Sequence, residues 1–444
     1  MTSLLADIDV EDPISGFFKI LNEDDAGPCP VCCIPLSDPP SPVTNPMTPF
    51  CSQACREVAV CMCIMLDGCL QSRAHENIML RLRDTLAQKA LNIMQKIADK
   101  SLQHQRPLRS LLIQLAKHSH RIPASLFLQG VRLHQSGRGE IYVGGFANVH
   151  RGRYNHQDVA LKVLRVFANS DEATKNDLKQ KLHYEALIWR NVCHRHVLPF
   201  LGIDGHIFRG PCMVSTWMPH GQIRNKAQSL IRKGHKRDDL YYLRYAFKWL
   251  YEILQGLEYL HGEGLVHGDL RGPNILIDDT RCVRLTDFGL AVFSETESRE
   301  LGSSRGGHER WMAPEQISPE IYEGHSERPT VYSDMFSFGC VCVELYTAHA
   351  PYFGCSDIQV MGGVPYGRRP LRTNIIDGVE VALPVELWWI AEKCWAHDPR
   401  SRAEIGELLH DLEDMQIPWV STLGGPIVIS RTFTQLTSSQ NELR

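Results

Sequence analysis

Two polar segments, HGDLRGPN at residues 267–274 and TDFGL at residues 286–290, flank a short strand pair read from NILID and CVRLTDF. A hairpin that short turns the chain back on itself, so Asn274 at its entrance and Asp287 at its exit come out side by side. Asp269 stands five positions before Asn274 and adds a second carboxylate to the same loop. A hairpin of that length can bring Asn274 and Asp287 together at one end, with Asp269 close by in sequence. It lies within a stretch, Leu240 to Cys394, whose pattern is otherwise mainly helical.

The segment before that stretch has a different texture. After Gly130 come β-type runs bounded by glycine, IYVGGFANVHRG and DVALKVLRVF, then a charged helical segment from Asp171 to Trp189 and two further strands around Phe200 and Met213. The expected class is α+β: a small β-rich part with one helix leading into a larger helical part, together spanning residues 131–415. Further upstream, residues 1–27 read as a flexible lead and 28–70 as a Cys-rich module around the loop-forming SDPPSPVTNPMTP. Residues 71–130 read as a helical connector. There Met79, Leu82, Leu86, Ala90, Ile93 and Ile97 form one stripe of a helix from Asn77 to Lys100, followed by a shorter helix over Leu108–Lys117. The pair is too brief for a sustained coiled coil and reads as a helical hairpin packed on a neighbouring domain. Residues 416–444 carry no clear period and read as a tail.

Composition narrows the function classes. With 47 basic and 51 acidic residues the net charge is −4, which gives no global field to recruit nucleic acid or an anionic membrane. The longest apolar run, Val58–Leu66, is half of the roughly 18 residues a membrane span needs. The acidic N-terminus lacks the basic start and apolar run of a secretory signal, so the expected compartment is the reducing cytosol, or the nucleus. The 15 cysteines are then thiols or metal ligands rather than a disulfide framework.

Phosphoryl transfer from ATP asks a protein to clamp the phosphates, neutralise their charge with metal ions and aim a hydroxyl. The hairpin supplies the parts: Asn274 and Asp287 as ligands of Mg²⁺, with Asp269 left to accept the proton of the acceptor hydroxyl. From about residue 134 to 415 the chain resembles a eukaryotic protein kinase, with seven motifs in family order. The resemblance implies a bilobal fold that binds ATP and Mg²⁺ and phosphorylates a protein substrate. VALK, residues 159–162, implies Lys162 on the α- and β-phosphates, and Glu185 in HYEALIW implies its ion-pair partner. Asp269 becomes the catalytic base with Arg271 beside it, and Asn274 and Asp287 the metal ligands. RWMAPE closes the activation segment, Asp334 supports the catalytic loop, and Arg402 partners Glu315. Gly144, Gly145, Ala147 and Val149 would cover the nucleotide, with Ala160 beside it. Ser215 would set the depth of the adenine pocket, and Thr216 to Met218 would form the hinge.

Three departures keep a second reading open. Aligned on Val149, the Gly-rich loop has Tyr142 at its first glycine position and Ala147 at its third, and Gly268 replaces the arginine that usually precedes the catalytic aspartate. The alternative is a pseudokinase scaffold that binds partners and transfers nothing. Against it, Lys162, Glu185, Asp269, Asn274 and Asp287 are all retained. Gly268 also implies that activity does not require phosphate on Ser303 or Ser304. Arg271, RWMAPE and the tyrosine-free activation segment are similar to the tyrosine-kinase-like group, and SLFLQGV…GGFANVHRG to its fungal members. Serine/threonine specificity is expected, with dual or tyrosine specificity as the alternative.

Upstream, Cys29, Cys32, Cys51 and Cys55 form a C-x₂-C and a C-x₃-C pair that could complete a tetrahedral Zn²⁺ site, with Cys33 the substitute ligand if the register slips. The FCSQACR half resembles FCS-type zinc fingers. A Cys-rich buried segment without metal is the competing reading. This region with the connector is also the candidate docking site for a protein partner.

Overall fold

The computed structural model describes residues 72–99, 105–134, 141–143, 147–164, 172–208, 210–287, 308–322 and 328–415. The flexible lead, the Cys-rich module and the tail lie outside the described residues. The chain divides into two compact units: residues up to Gln129 together with Ser170–Asn191, and Gly130–Asn169 together with Val192 onward.

The first unit is helical, with α1 (Arg73–Met79), α2 (Asp84–Ala98), α3 (Gln105–Ser119) and α4 (Glu172–Arg190). The stripe expected to run through one helix is shared by α1 and α2. Between them Arg83 folds its guanidinium onto the carbonyls of Leu80 and Leu82, at 2.9 and 2.7 Å, and Asp84 takes a φ of 49°. Side-chain period survives such a break, so hydrophobic spacing alone conceals it. Leu108, Leu111, Leu112 and Leu115 give α3 a buried seam at intervals of three and four, and α3 packs on both α2 and α4. The return loop is pinned to α2 by bonds from Gln88 Nε2 to the Ile122 carbonyl (2.8 Å) and from the Ala124 amide to Asn92 Oδ1 (2.8 Å).

The second unit begins with an antiparallel sheet of β1 (Arg132–Leu133), β2 (Ile141–Val143), β3 (Ala147–Tyr154), β4 (Gln157–Leu164), β5 (Phe200–Asp204) and β6 (Cys212–Thr216). The order is β1-β3-β4-β6-β5, with β2 also paired to β3. Asn155 and His156, both at positive φ, make the two-residue turn that joins β3 to β4. Paired residues share a face of a sheet. The register Ala147↔Leu164, Val149↔Lys162, Lys162↔Met213 and Ala160↔Ser215 therefore sets Ala147, Val149, Ala160, Lys162 and Ser215 on one face. Val159 and Leu161 belong to the opposite face and are fully buried.

Helices α5 (Ile223–Arg232) and α6 (Leu240–Gly262) follow, then the hairpin of β7 (Ile275–Ile277) and β8 (Val283–Leu285). Asp239 caps α6 by accepting from the Tyr242 amide at 2.7 Å. Gly264, at φ 72°, ends it by letting the Leu265 amide reach back to the Leu260 carbonyl. After α7 (Pro314–Ile317) comes α8 (Val331–Thr347), buried throughout from Ser333 to Thr347, so it forms the axis of the helical core. Phe336 and Phe338 on α8 and Trp249 on α6 are essentially inaccessible, and burying each contributes roughly 1.5–3 kcal/mol. The remaining elements are α9 (Asp357–Gly363), β9 (Thr373–Ile376), β10 (Val379–Ala382), α10 (Val385–Cys394) and α11 (Ile405–Asp414). The β9–β10 hairpin is a second strand pair where only one was expected. Its turn is Asp377-Gly378, both at positive φ, a dipeptide that favours such hairpins. Among the described residues no helix is long and apolar enough to cross a membrane.

Candidate active site

The β7–β8 hairpin does what its length allows. Ile275 pairs with Leu285, and the Thr286 amide donates to the Asn274 carbonyl at 3.0 Å, so Asn274 and Asp287 emerge together. Asn274 Nδ2 donates to both the carbonyl and the Oδ2 of Asp269, each at 2.8 Å. Its amide oxygen is thereby turned away from Asp269, and the carboxylate is held in one orientation. Arg271 Nε lies 3.1 Å from Asp269 Oδ1. On the sheet, Lys162 Nζ reaches Asp287 Oδ1 at 2.5 Å. Burial pushes the Asp287 carboxyl up, but the Lys162 ammonium, with His267 and Arg271, outweighs it and holds the group below the usual carboxylate range. Asp287 is thus an anion at neutral pH.

The loop that carries Asp269 is held from beneath by two acids of α8. Asp334 accepts from the amides of His267 and Gly268, each at 2.8 Å, and lies 2.8 Å from His261 Nε2. Gly268 sits at φ 77°, a conformation in which glycine carries no Cβ penalty. Glu344 Oε2 accepts from the Gly272 amide (2.8 Å) and from Trp311 Nε1 (2.9 Å), and Arg224 lies 3.3 Å from Oε1. Burial drives Glu344 up to about 7 despite Arg224 and these donors. A Cβ on Gly272 would stand 2.3 Å from Glu344 Oε1, so only glycine fits. Sequence reasoning missed Glu344. The signal was one acid within the otherwise apolar FGCVCVELY. Farther along, Arg402 clamps Glu315 with two bonds of 2.7 and 2.6 Å, both side chains being fully buried, as the resemblance implied.

Of the expected nucleotide contacts, Ala147, Val149, Ala160, Lys162 and Ser215 share the sheet face described above, and Gly144 and Gly145 lie outside the described residues. In the segment expected to form the hinge, the amides of Thr216 and Trp217 donate to the carbonyls of Pro199 and Asp158, both at 3.2 Å. The Met218 amide makes no hydrogen bond among the described residues. Glu185 is buried on α4 of the first unit.

The donor set suits magnesium, a hard cation that takes oxygen ligands and is bound through one or two protein groups plus substrate phosphates. Asp287 and the amide oxygen of Asn274 are such groups, and Asp287 is anionic.

A family model described as protein tyrosine and serine/threonine kinase matches residues 136–412. The chain belongs to this kinase family. Over 280 residues, 62% of its length, the kinase is 30% identical to the serine/threonine-protein kinase STY46 of Arabidopsis thaliana, covering 43% of that protein. It is 27% identical over 61% of its length to the serine/threonine/tyrosine-protein kinase HT1 of the same plant, covering 63% of it. To the dual specificity protein kinase pyk3 of Dictyostelium discoideum it is 29% identical over 64% of its length, covering 19% of that protein. The kinase thus spans less than two thirds of these relatives' own lengths. Its small β-rich sheet and larger helical part are the N-lobe and C-lobe of the family fold.

Proposed function

We propose that this kinase transfers the γ-phosphoryl group of Mg-ATP to a serine or threonine hydroxyl of a protein. One observation carries the reading: within a single unit Lys162 bonds Asp287 and Asn274 bonds Asp269, side chain to side chain, and the backbone bond from Thr286 to Asn274 holds the two pairs at the same end of the hairpin. Bound Mg²⁺ would supply charge neutralisation on the phosphates. Asn274 and Asp287 would hold it, and Lys162 would move from Asp287 to the α- and β-phosphates. Asp269, fixed by Asn274, would accept the proton of the acceptor hydroxyl, with Arg271 beside it. Glu185 would be the carboxylate that steadies Lys162.

Met218 would donate to the adenine edge, while Ala147, Val149, Ala160 and Ser215 would line the nucleotide, covered by Gly144 and Gly145. Serine/threonine acceptors and the tyrosine-kinase-like group are favoured by the names of STY46 and HT1 and by the absence of tyrosine from the activation segment. Gly268 carries no guanidinium for a loop phosphate, so turnover should survive phosphatase treatment. The decisive assay is purified full chain with Mg-ATP and a generic acceptor, beside Lys162→Met and Asp287→Asn, with acceptor residues read by mass spectrometry. Incorporation should fall at least about 10²-fold in both variants; equal incorporation by all three would overturn the reading.

The upstream region extends the proposal. Cys29, Cys32, Cys51 and Cys55 would bind one Zn²⁺ and, with the helices that follow, dock a protein partner of a cytosolic enzyme. Elemental analysis of the full chain should find one zinc per molecule, lost in Cys29→Ser/Cys32→Ser; no zinc in the unaltered chain would refute the site.

A further inference from the structure

Helix α4, which carries Glu185, belongs to the same compact unit as helices that precede the family match. Its C-terminal end is tied to α2 by a closed set of polar bonds. Arg190 Nη2 donates to Asp99 Oδ2 at 3.0 Å, with the two side chains 13% and 23% exposed. Gln95, fully buried, donates through Nε2 to Asp99 Oδ1 and to Asn191 Oδ1, each at 3.0 Å. Asn191 Nδ2 donates in return to Gln95 Oε1 at 3.0 Å and to the Leu187 carbonyl in the last turn of α4 at 2.8 Å. An amide pair that satisfies both partners in both directions favours one relative placement of the two helices, since a slip of either leaves the buried Gln95 amide unpaired. Toward its other end α4 meets the return loop, where His120 Nδ1 lies 3.1 Å from Gln180 Oε1 and Phe127 packs edge-on against His183. Glu185 stands between these two attachments, about 7.5 Å along the axis from Arg190 at 1.5 Å per residue.

We propose that Gln95 and Asp99, both upstream of the matched family region, are positioning residues for phosphoryl transfer: they fix the end of the helix that carries Glu185. This rests on the role given to Glu185 above. The helical connector is then a built-in part of the enzyme, and whatever docks on or pulls at residues 72–129 gains a handle on turnover.

The test uses the full chain and four alterations: Asp99→Lys, Arg190→Asp, the two combined, and Asp99→Lys in a Glu185→Gln background. Each single charge reversal should lower kcat or raise the Mg-ATP dissociation constant by roughly tenfold, and the combined swap should recover to within about threefold. In the Glu185→Gln background the Asp99→Lys change should cost less than about twofold, because a residue acting through Glu185 has nothing left to act through. A purely structural role would instead cost the same in both backgrounds, and that result overturns the proposal. So would unaltered kinetics in Asp99→Lys, or a swap that fails to recover. Should the unaltered chain transfer no phosphate, the kinase reading fails by itself. Hydrogen exchange over residues 180–190 then decides the anchoring, which requires faster exchange in Asp99→Lys and protection restored in the swap; unchanged exchange overturns it.

Discussion

The catalytic loop and the end of α4 are both fixed by buried polar bonds, yet the two sites are built differently. Under the catalytic loop, acids of one buried helix accept from backbone amides: Asp334 from His267 and Gly268, Glu344 from Gly272. At α4 the partners are side chains on both sides, Gln95 with Asn191 and Asp99 with Arg190. A backbone amide cannot be mutated away, so removing its acid always strands it. A side-chain pair can be removed whole. The first construction makes a fixed loop, the second an adjustable joint.

The sharpest contrast comes from the acid with two loop amides. Asp334→Ala strands both, and at about 1–3 kcal/mol for each buried unpaired donor the second unit should lose roughly 2–6 kcal/mol. Urea unfolding measures this, and an unchanged midpoint would erase the distinction. Next is Glu344, whose folded pKa of about 7 lies above its usual 4.5. A raised acid contributes its stability in full below 4.5 and loses it as pH rises through 7, because the folded state binds more protons across that window. The loss is on the order of 3 kcal/mol. Half-buried His194 and buried His196, held down to about 4 and about 3 by desolvation, slope the opposite way as pH falls from 6.5. The contribution of Glu344 is therefore read as the difference between the unaltered chain and Glu344→Gln, which should lack it; parallel pH profiles would count against a titrating Glu344.

A smaller effect is expected at the joint. Gln95→Leu leaves the Asn191 amide oxygen without its donor and should cost about 1–3 kcal/mol, whereas Gln95→Leu with Asn191→Leu should cost clearly less. Thermal denaturation of both reads the difference, and a double variant as unstable as the single one would show the joint to be no more forgiving than the loop. Least of all, Gly268→Ala places a Cβ on a left-handed residue and should cost about 1–2 kcal/mol, again from urea midpoints. Stability equal to the unaltered chain would show that the loop relaxes there.

Much of the catalytic unit was legible because its chemistry is local. Asn274 and Asp287 are joined by a hairpin short enough to bring them together, whereas Lys162 was reached through the resemblance of VALK to the family. The pair Glu315 and Arg402, 87 positions apart, was reached only through family resemblance. Glu344 was hidden because periodicity says which residues are buried, not which buried acid meets which amide. The α1–α2 break escaped notice since both helices bury the same stripe, and the β9–β10 turn was written as Asp377-Gly378 inside a stretch read as helical. The tie between α2 and α4 joins Gln95 to Asn191 across 96 positions, and nothing in either helix's pattern names the other.

The hinge carries a consequence for chemists. With the amide hydrogens of Thr216 and Trp217 spent on Pro199 and Asp158, a flat heterocycle set against the proposed hinge would meet one main-chain donor, at Met218. An inhibitor scaffold relying on several adjacent hinge donors gains little over one that uses a single acceptor.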